Sequence, residues 1–313
     1  MKKLLVFCLL LINIYAVNFQ TEIDAKYQSD FEESTLPISL KLTGNYLDDN
    51  IFSEFQIKGL EDDLLLTKAY GEIYKDKFTY TFGRQPVSWG NSYIFNKMNV
   101  LTSVNILNPG EKDNTLDGIK IKYNLPKDSK LEAVVFNVNT ADNYGLKYST
   151  VLDNYEYQLS YIKKEKQDQL SNKEEKINDL IFEFKGDLVL GLWAQVAHSF
   201  EYDKNNYVLG VDYSFAPFDK TLYLLWEGNY SEKTELLLNY FRYSYNFNQW
   251  TSLSGGILAK ENEQVITTSV NHKLNDAVEL NLSYIKVNMD KETKKYMEIN
   301  FENKIELQLK AVF

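Results

Sequence analysis

One cysteine, two histidines and five prolines in 313 residues leave little material for several kinds of chemistry. Cys8 lies inside the first apolar run, and with that run removed the chain has no thiol, which excludes disulfides, cysteine zinc sites and cysteine nucleophiles together. His198 and His272 are far apart in sequence, and no nucleophile elbow or zinc-binding helix motif accompanies them. Glycine-rich phosphate loops, calcium loops and haem attachment motifs are also missing, so no cofactor is expected. Beyond residue 16 nothing approaches 18 uninterrupted apolar residues and mean hydropathy is −0.38, which excludes membrane-spanning helices. Positive charge is in deficit as well: the formal charge is −10, more negative still without Lys2 and Lys3. A chain this acidic is a poor partner for nucleic acid.

What is present begins with a leader. Lys2 and Lys3 precede an apolar run from Leu4 to Ile14, then Tyr15 and Ala16, then polar sequence, which is the layout of a secretory signal. A run of this length is shorter than the ~20 residues a spanning helix needs, and Ala16 supplies a small residue before a cleavage point. The expectation is a signal peptide over 1–16 and one domain over 17–313, an uncleaved amino-terminal anchor being the alternative. Phe7 stands before Cys8 where a lipoprotein signal has a small residue, which argues against a lipid anchor.

From Asn18 onward the dominant pattern has period two. Ile38, Leu40, Leu42, Gly44 and Tyr46 alternate with Ser39, Lys41, Thr43 and Asn45, and Ile305, Leu307, Leu309, Ala311 and Phe313 alternate with Glu306, Gln308, Lys310 and Val312. A soluble sandwich also alternates, but the connections discriminate. Every second one is short and rich in turn residues: Leu47–Asn50, Lys75–Lys77, Leu125–Ser129, Leu152–Asp153, Gly186–Asp187, Ala216–Asp219, Asn248–Gln249 and Asn275–Asp276. The others hold all the long segments: Ser29–Leu36, Arg84–Thr115, Glu165–Lys176 and Met289–Lys294. A sandwich has no reason to sort its loops by parity, whereas an outer-membrane barrel has short periplasmic turns and longer external loops. With 23 Tyr, 18 Phe and 4 Trp there are aromatics for a girdle at each interface. The expected fold is therefore all-β, a transmembrane antiparallel up-and-down β-barrel of about 18 strands, an even number from about 14 to 18. Tyr243, Tyr245 and Phe247, ahead of the Asn248–Gln249 turn, suit the periplasmic girdle.

The carboxyl terminus carries a resemblance. Leu307, Leu309 and the final Phe313 resemble the terminal strand by which bacterial outer-membrane proteins are recognised by the barrel-assembly machinery. The Arg84–Thr115 segment lies after strand five, and by resemblance to general porins it folds into the lumen and narrows the pore. Its start, Gly83-Arg84-Gln85-Pro86-Val87-Ser88-Trp89-Gly90, is similar to a signature of outer-membrane barrels related to alginate-export porins, whose substrate does not carry over.

On this reading Arg84, Trp89, Glu111, Lys112, Asp113 and Asp117 are the candidates for the constriction, with a purely conformational role for Arg84 and Trp89 as the plainer alternative. Glu54, Lys58, Lys120 and Lys122 alternate with apolar neighbours and are expected to face the lumen. The function expected is passive diffusion of small hydrophilic solutes or ions, without enzymatic activity or metal. Expected partners are membrane lipid and lipopolysaccharide, the barrel-assembly machinery and the solutes, and a homo-oligomer is compatible with the sequence. Three alternatives stand beside it: a structural or adhesive surface barrel without an open pore, an outer-membrane hydrolase built on His198, and a soluble secreted β-protein.

Overall fold

A computed structural model describes residues 17–29, 34–35, 38–60, 63–96, 115–136, 143–167, 174–216, 220–290 and 301–313. The expected leader and Glu111, Lys112 and Asp113 lie outside the described residues. The strands are β1 (Val17–Ser29), β2 (Ser34–Thr35), β3 (Ile38–Asp48), β4 (Ile51–Leu60), β5 (Asp63–Lys75), β6 (Phe78–Pro86), β7 (Thr115–Asn124), β8 (Lys130–Phe136), β9 (Tyr144–Leu152) and β10 (Tyr155–Gln167). They continue as β11 (Glu174–Asp187), β12 (Gly191–Ser199), β13 (Lys204–Phe215), β14 (Leu222–Ser231), β15 (Leu236–Asn246), β16 (Thr251–Lys260), β17 (Glu263–Lys273), β18 (Val278–Asn288) and β19 (Asn303–Val312).

Each long strand pairs antiparallel with its sequence neighbours, and β1 pairs with both β3 and β19. The last strand thus meets the first, with Ile23 opposite Ala311 and Tyr27 opposite Leu307. The two-residue β2 pairs with the end of β1. What results is a closed barrel of 18 membrane-length strands, with no helix among the described residues. Closure lets the ladders satisfy strand N–H and C=O groups and removes the sheet edge, as a backbone in hydrocarbon requires. The ladder slips once, between Gln56 and Ile57, where Thr67 is the extra residue of β5 and its hydroxyl donates to the Gln56 side chain at 2.9 Å. Tight connections such as 49–50, 76–77 and 153–154 lie at one rim, and the strand ends that bound the long connections 87–114 and 289–302 lie at the other. The second rim is external in outer-membrane barrels.

Burial runs inside out. Leu209 is 55% exposed on the outer surface while Glu227 is 0% exposed on the inner one. Outward positions on strands around the barrel carry Ile119, Leu131, Leu146, Leu159, Phe182, Leu209, Leu237 and Leu282, all exposed. In water each such side chain would forgo ~1.5–3 kcal/mol of burial, so this band belongs against lipid. Exposed aromatics mark the tight-turn rim, where Tyr213 stacks on Phe215 at 5.8 Å and Tyr245 meets Phe247 edge-on at 5.0 Å. Tyr243 and Tyr245 share the outward face of β15 with exposed Phe241, as the girdle reading expected.

Candidate functional site

The inner wall has two halves of different character. Over the tight-turn halves of β17 and β18, and over β19, β1 and β3–β5, the inward positions are polar and of both signs, whereas Val265, Ile285 and Val287 at the other ends of β17 and β18 are apolar. Lys26 reaches Glu306 at 3.1 Å, Lys304 reaches Glu306 at 2.8 Å, Lys310 reaches Glu22 at 3.2 Å and Lys68 reaches Glu54 at 2.9 Å. Gln308 donates to Asp24 at 2.6 Å, and the hydroxyls of Ser269 and Ser283 meet at 2.8 Å. Most of these ion pairs cross neighbouring strands, Lys304–Glu306 lying within β19, and their lysines keep partial exposure, so they stay hydrated and cost little to hold.

Over β8–β15 the inner wall is covered instead by the chain that leaves β6. Val87 and Trp89 continue the strand's alternation and pack with Leu116, Val134, Phe136, Ile162, Ile181 and Ala197. The Trp89 ring lies so close to Gly145 of β9 that an added Cβ would come within 2.7 Å of it, so that position requires glycine. Its indole N–H donates to Glu132 at 3.0 Å, and Lys147, paired with Glu132 at 3.0 Å, stands over the ring. At Gly90 the backbone turns with φ +87°, and a Cβ there would meet the Asn96 amide at 2.3 Å. Asn96 ties the turn by donating from Nδ2 to the Trp89 carbonyl at 2.6 Å.

Residues 91–96 then cross toward β14 as a strap without ladder partners of its own. Buried backbone N–H groups left unpaired cost ~1–3 kcal/mol each, and here wall carboxylates receive them. Asn91 N–H donates to Glu183 of β11. Glu227 of β14 accepts the N–H groups of Tyr93 at 2.6 Å, Ile94 at 2.9 Å and Phe95 at 2.6 Å, and the indole N–H of Trp193 at 2.7 Å. Four donors on one fully buried carboxylate make Glu227 the principal clasp. Ile94 enters the apolar cluster of Trp193, Leu225, Tyr240, Leu258, Val265, Ile285 and Val287. Tyr93 stacks on Tyr240, and the Arg242 guanidinium lies 5.0 Å from the Tyr93 ring.

The sequence-predicted residues separate accordingly. Trp89 packs on the inner wall just ahead of the strap. Glu54, Lys120 and Lys122 take inward positions, Lys120 and Lys122 alternating with exposed Ile119 and Ile121, and Lys58 has the same parity as Glu54. Arg84 and Asp117 go elsewhere. β6 continues to Pro86, so both residues lie on strands directly opposite each other, on the outward face that carries Phe82 and Ile119. They close on each other through two hydrogen bonds of 2.8 and 2.7 Å, and Arg84 also donates to the Leu66 carbonyl. A pair whose alternation turns it outward does not face the lumen, which corrects their expected place at a constriction. Glu183 and Glu227 escaped the sequence reading, although a lone carboxylate at an inward position of the otherwise apolar Leu222–Glu227 stretch was a usable signal. The two histidines stand at opposite rims: His198 meets Asn205 at 3.0 Å and His272 meets the Thr251 hydroxyl at 2.9 Å.

No family model matches this sequence, and no curated protein does. Solved structures do. The Escherichia coli protein Wzi, described as an outer-membrane protein involved in group 1 capsule assembly and a carbohydrate-binding β-barrel, superposes with a TM-score of 0.67 at 13% identity, over 99% of this chain and 87% of that one. This chain has the fold of outer-membrane β-barrels. Salmonella typhi OmpF follows with a TM-score of 0.57 at 9% identity, covering 95% of this chain and 97% of that one. A porin mutant from Rh. blastica gives 0.56 at 10%, covering 95% and 100%. The likeness to alginate-export-type barrels rests on the Gly83–Gly90 residues alone.

Proposed function

We propose that this chain is a passive channel of the bacterial outer membrane for small hydrophilic solutes or ions. The passage runs along the charged wall of β17–β19, β1 and β3–β5, and the strap narrows the rest of the lumen. The observation that carries this reading is the contrast in accessibility across one lumen: Glu183, Gln195 and Glu227 under the strap are almost wholly buried, while Lys26, Lys41 and Glu22 on the facing wall keep partial exposure. Because that wall carries both signs in close pairs, discrimination between cations and anions is expected to be weak despite the chain's net acidity. Leu307, Leu309 and Phe313 at the outward carboxyl-terminal strand are the residues offered to the barrel-assembly machinery, after removal of 1–16. The apolar band meets lipid, with lipopolysaccharide at the external leaflet. The test is single-channel conductance of the refolded mature chain in a planar bilayer, where stable ohmic steps are expected.

A second reading, a surface barrel without an open pore, draws support from the extent of inner wall that the strap seals and from the likeness to Wzi, which is described as binding carbohydrate. A correctly folded barrel that conducts nothing would favour it over the channel.

A further inference from the structure

At the long-loop rim the inner ends of β11–β14 enclose a cavity of about 190 Å³ that neither the strap nor the charged wall uses. A water molecule occupies ~30 Å³ in the liquid, so the space exceeds what one buried water fills. At its base Asn206 is 5% exposed, and neither Oδ1 nor Nδ2 has a hydrogen-bond partner. A buried amide with both ends unmet costs ~1–3 kcal/mol per group and needs a reason. Asp179 lines the base beside it, with the hydroxyls of Ser199 and Ser231. The upper wall is cationic: Lys176, Lys204 and Lys233 line it, the last with its ammonium over the Tyr202 ring.

We infer that this cavity binds a small hydroxylated anion. The base is rich in acceptors, Asp179 and Asn206 Oδ1, and so takes hydroxyl donors, while Asn206 Nδ2 donates to a hydroxyl oxygen. An anionic group at the base would meet the Asp179 carboxylate, so it points to the rim, where the lysines neutralise it. Hydroxyls inward and charge outward is an orientation that neither a simple anion nor an uncharged polyol satisfies alone.

Isothermal titration of the refolded full mature chain in detergent with glycerate and with glycerol 3-phosphate tests this, with glycerol and inorganic phosphate as the two half-ligands. At least one of the first pair should bind tenfold or more tighter than either half, the better of the two showing whether a carboxylate or a phosphate is preferred. Asn206→Leu and the double variant Lys204→Gln/Lys233→Gln should each weaken it at least tenfold while keeping the heat-modifiable gel mobility of a folded barrel. If Asn206→Leu does not refold, Ser231→Ala and the lysine pair decide the matter. Absence of binding by both probes, unchanged binding in folded variants, or phosphate alone binding equally well would overturn the inference. The assay reads occupancy rather than passage, so its failure leaves the channel reading standing.

Discussion

The two halves of the lumen are built from the same alternating strands yet solve the problem of inward polar residues differently. On β19, β1 and β3–β5 inward lysines find carboxylates on neighbouring strands, as in Lys26 with Glu306 and Lys68 with Glu54, and keep partial exposure to solvent. On β8–β15 the carboxylates of Glu183 and Glu227 have no lysine partner among the described residues and instead collect backbone N–H groups from residues 91–95. Side-chain pairing leaves a wall open to solvent, whereas backbone capture covers it. The comparison teaches that Glu183 and Glu227, inward acids that capture backbone, mark where this lumen is filled, while Glu132 under Trp89 keeps Lys147 as its base even in the covered half.

This contrast can be broken on the strap side first. Glu227→Ala leaves four donors unpaired at ~1–3 kcal/mol each, so the strap should detach, and single-channel recording should show larger and noisier steps. Trp89→Ala opens a cavity against Gly145 and strips Glu132 of a donor, at a cost of ~3–5 kcal/mol in urea unfolding, with conductance changing in the same direction. On the outer surface Leu209→Lys at the lipid face should destabilise the folded barrel by ~2–4 kcal/mol in refolding titrations while leaving conductance as it was. Smallest of all is Arg84→Gln. The Arg84–Asp117 pair is half exposed and turned outward, so its loss should cost ~0–1 kcal/mol and leave the current–voltage curve unchanged. A large conductance change in Arg84→Gln would return that arginine to the pore.

Most of the barrel was legible in the sequence, because lipid on one side and water on the other impose period two on every strand and the two rims impose loop parity. The strand number, the outward Tyr243–Tyr245–Phe247 girdle and the inward Lys120 and Lys122 follow from those constraints alone. The site was less legible. Gly83-Arg84-Gln85 reads as the start of a loop, but β5 keeps pairing with it as far as Arg84 and β7 as far as Pro86, so the parity of Arg84 depends on where a strand ends, which local sequence does not determine. The clasp at Glu227 joins residues more than a hundred positions apart, and no pattern of period two reports which loop a lone inward carboxylate will hold.

The most direct measurement uses the fact that Cys8, in the expected leader, is the chain's only cysteine, so single cysteines can be placed in a mature chain free of thiols. Channels carrying Ser283→Cys or Ser269→Cys on the wet wall, and Gln195→Cys under the strap, would be treated with a charged methanethiosulfonate during recording. The account predicts abrupt current loss at 283 and 269 and no response at 195. Current loss at 195 with silence at 283 and 269 would contradict it, placing the passage on the side assigned here to the strap.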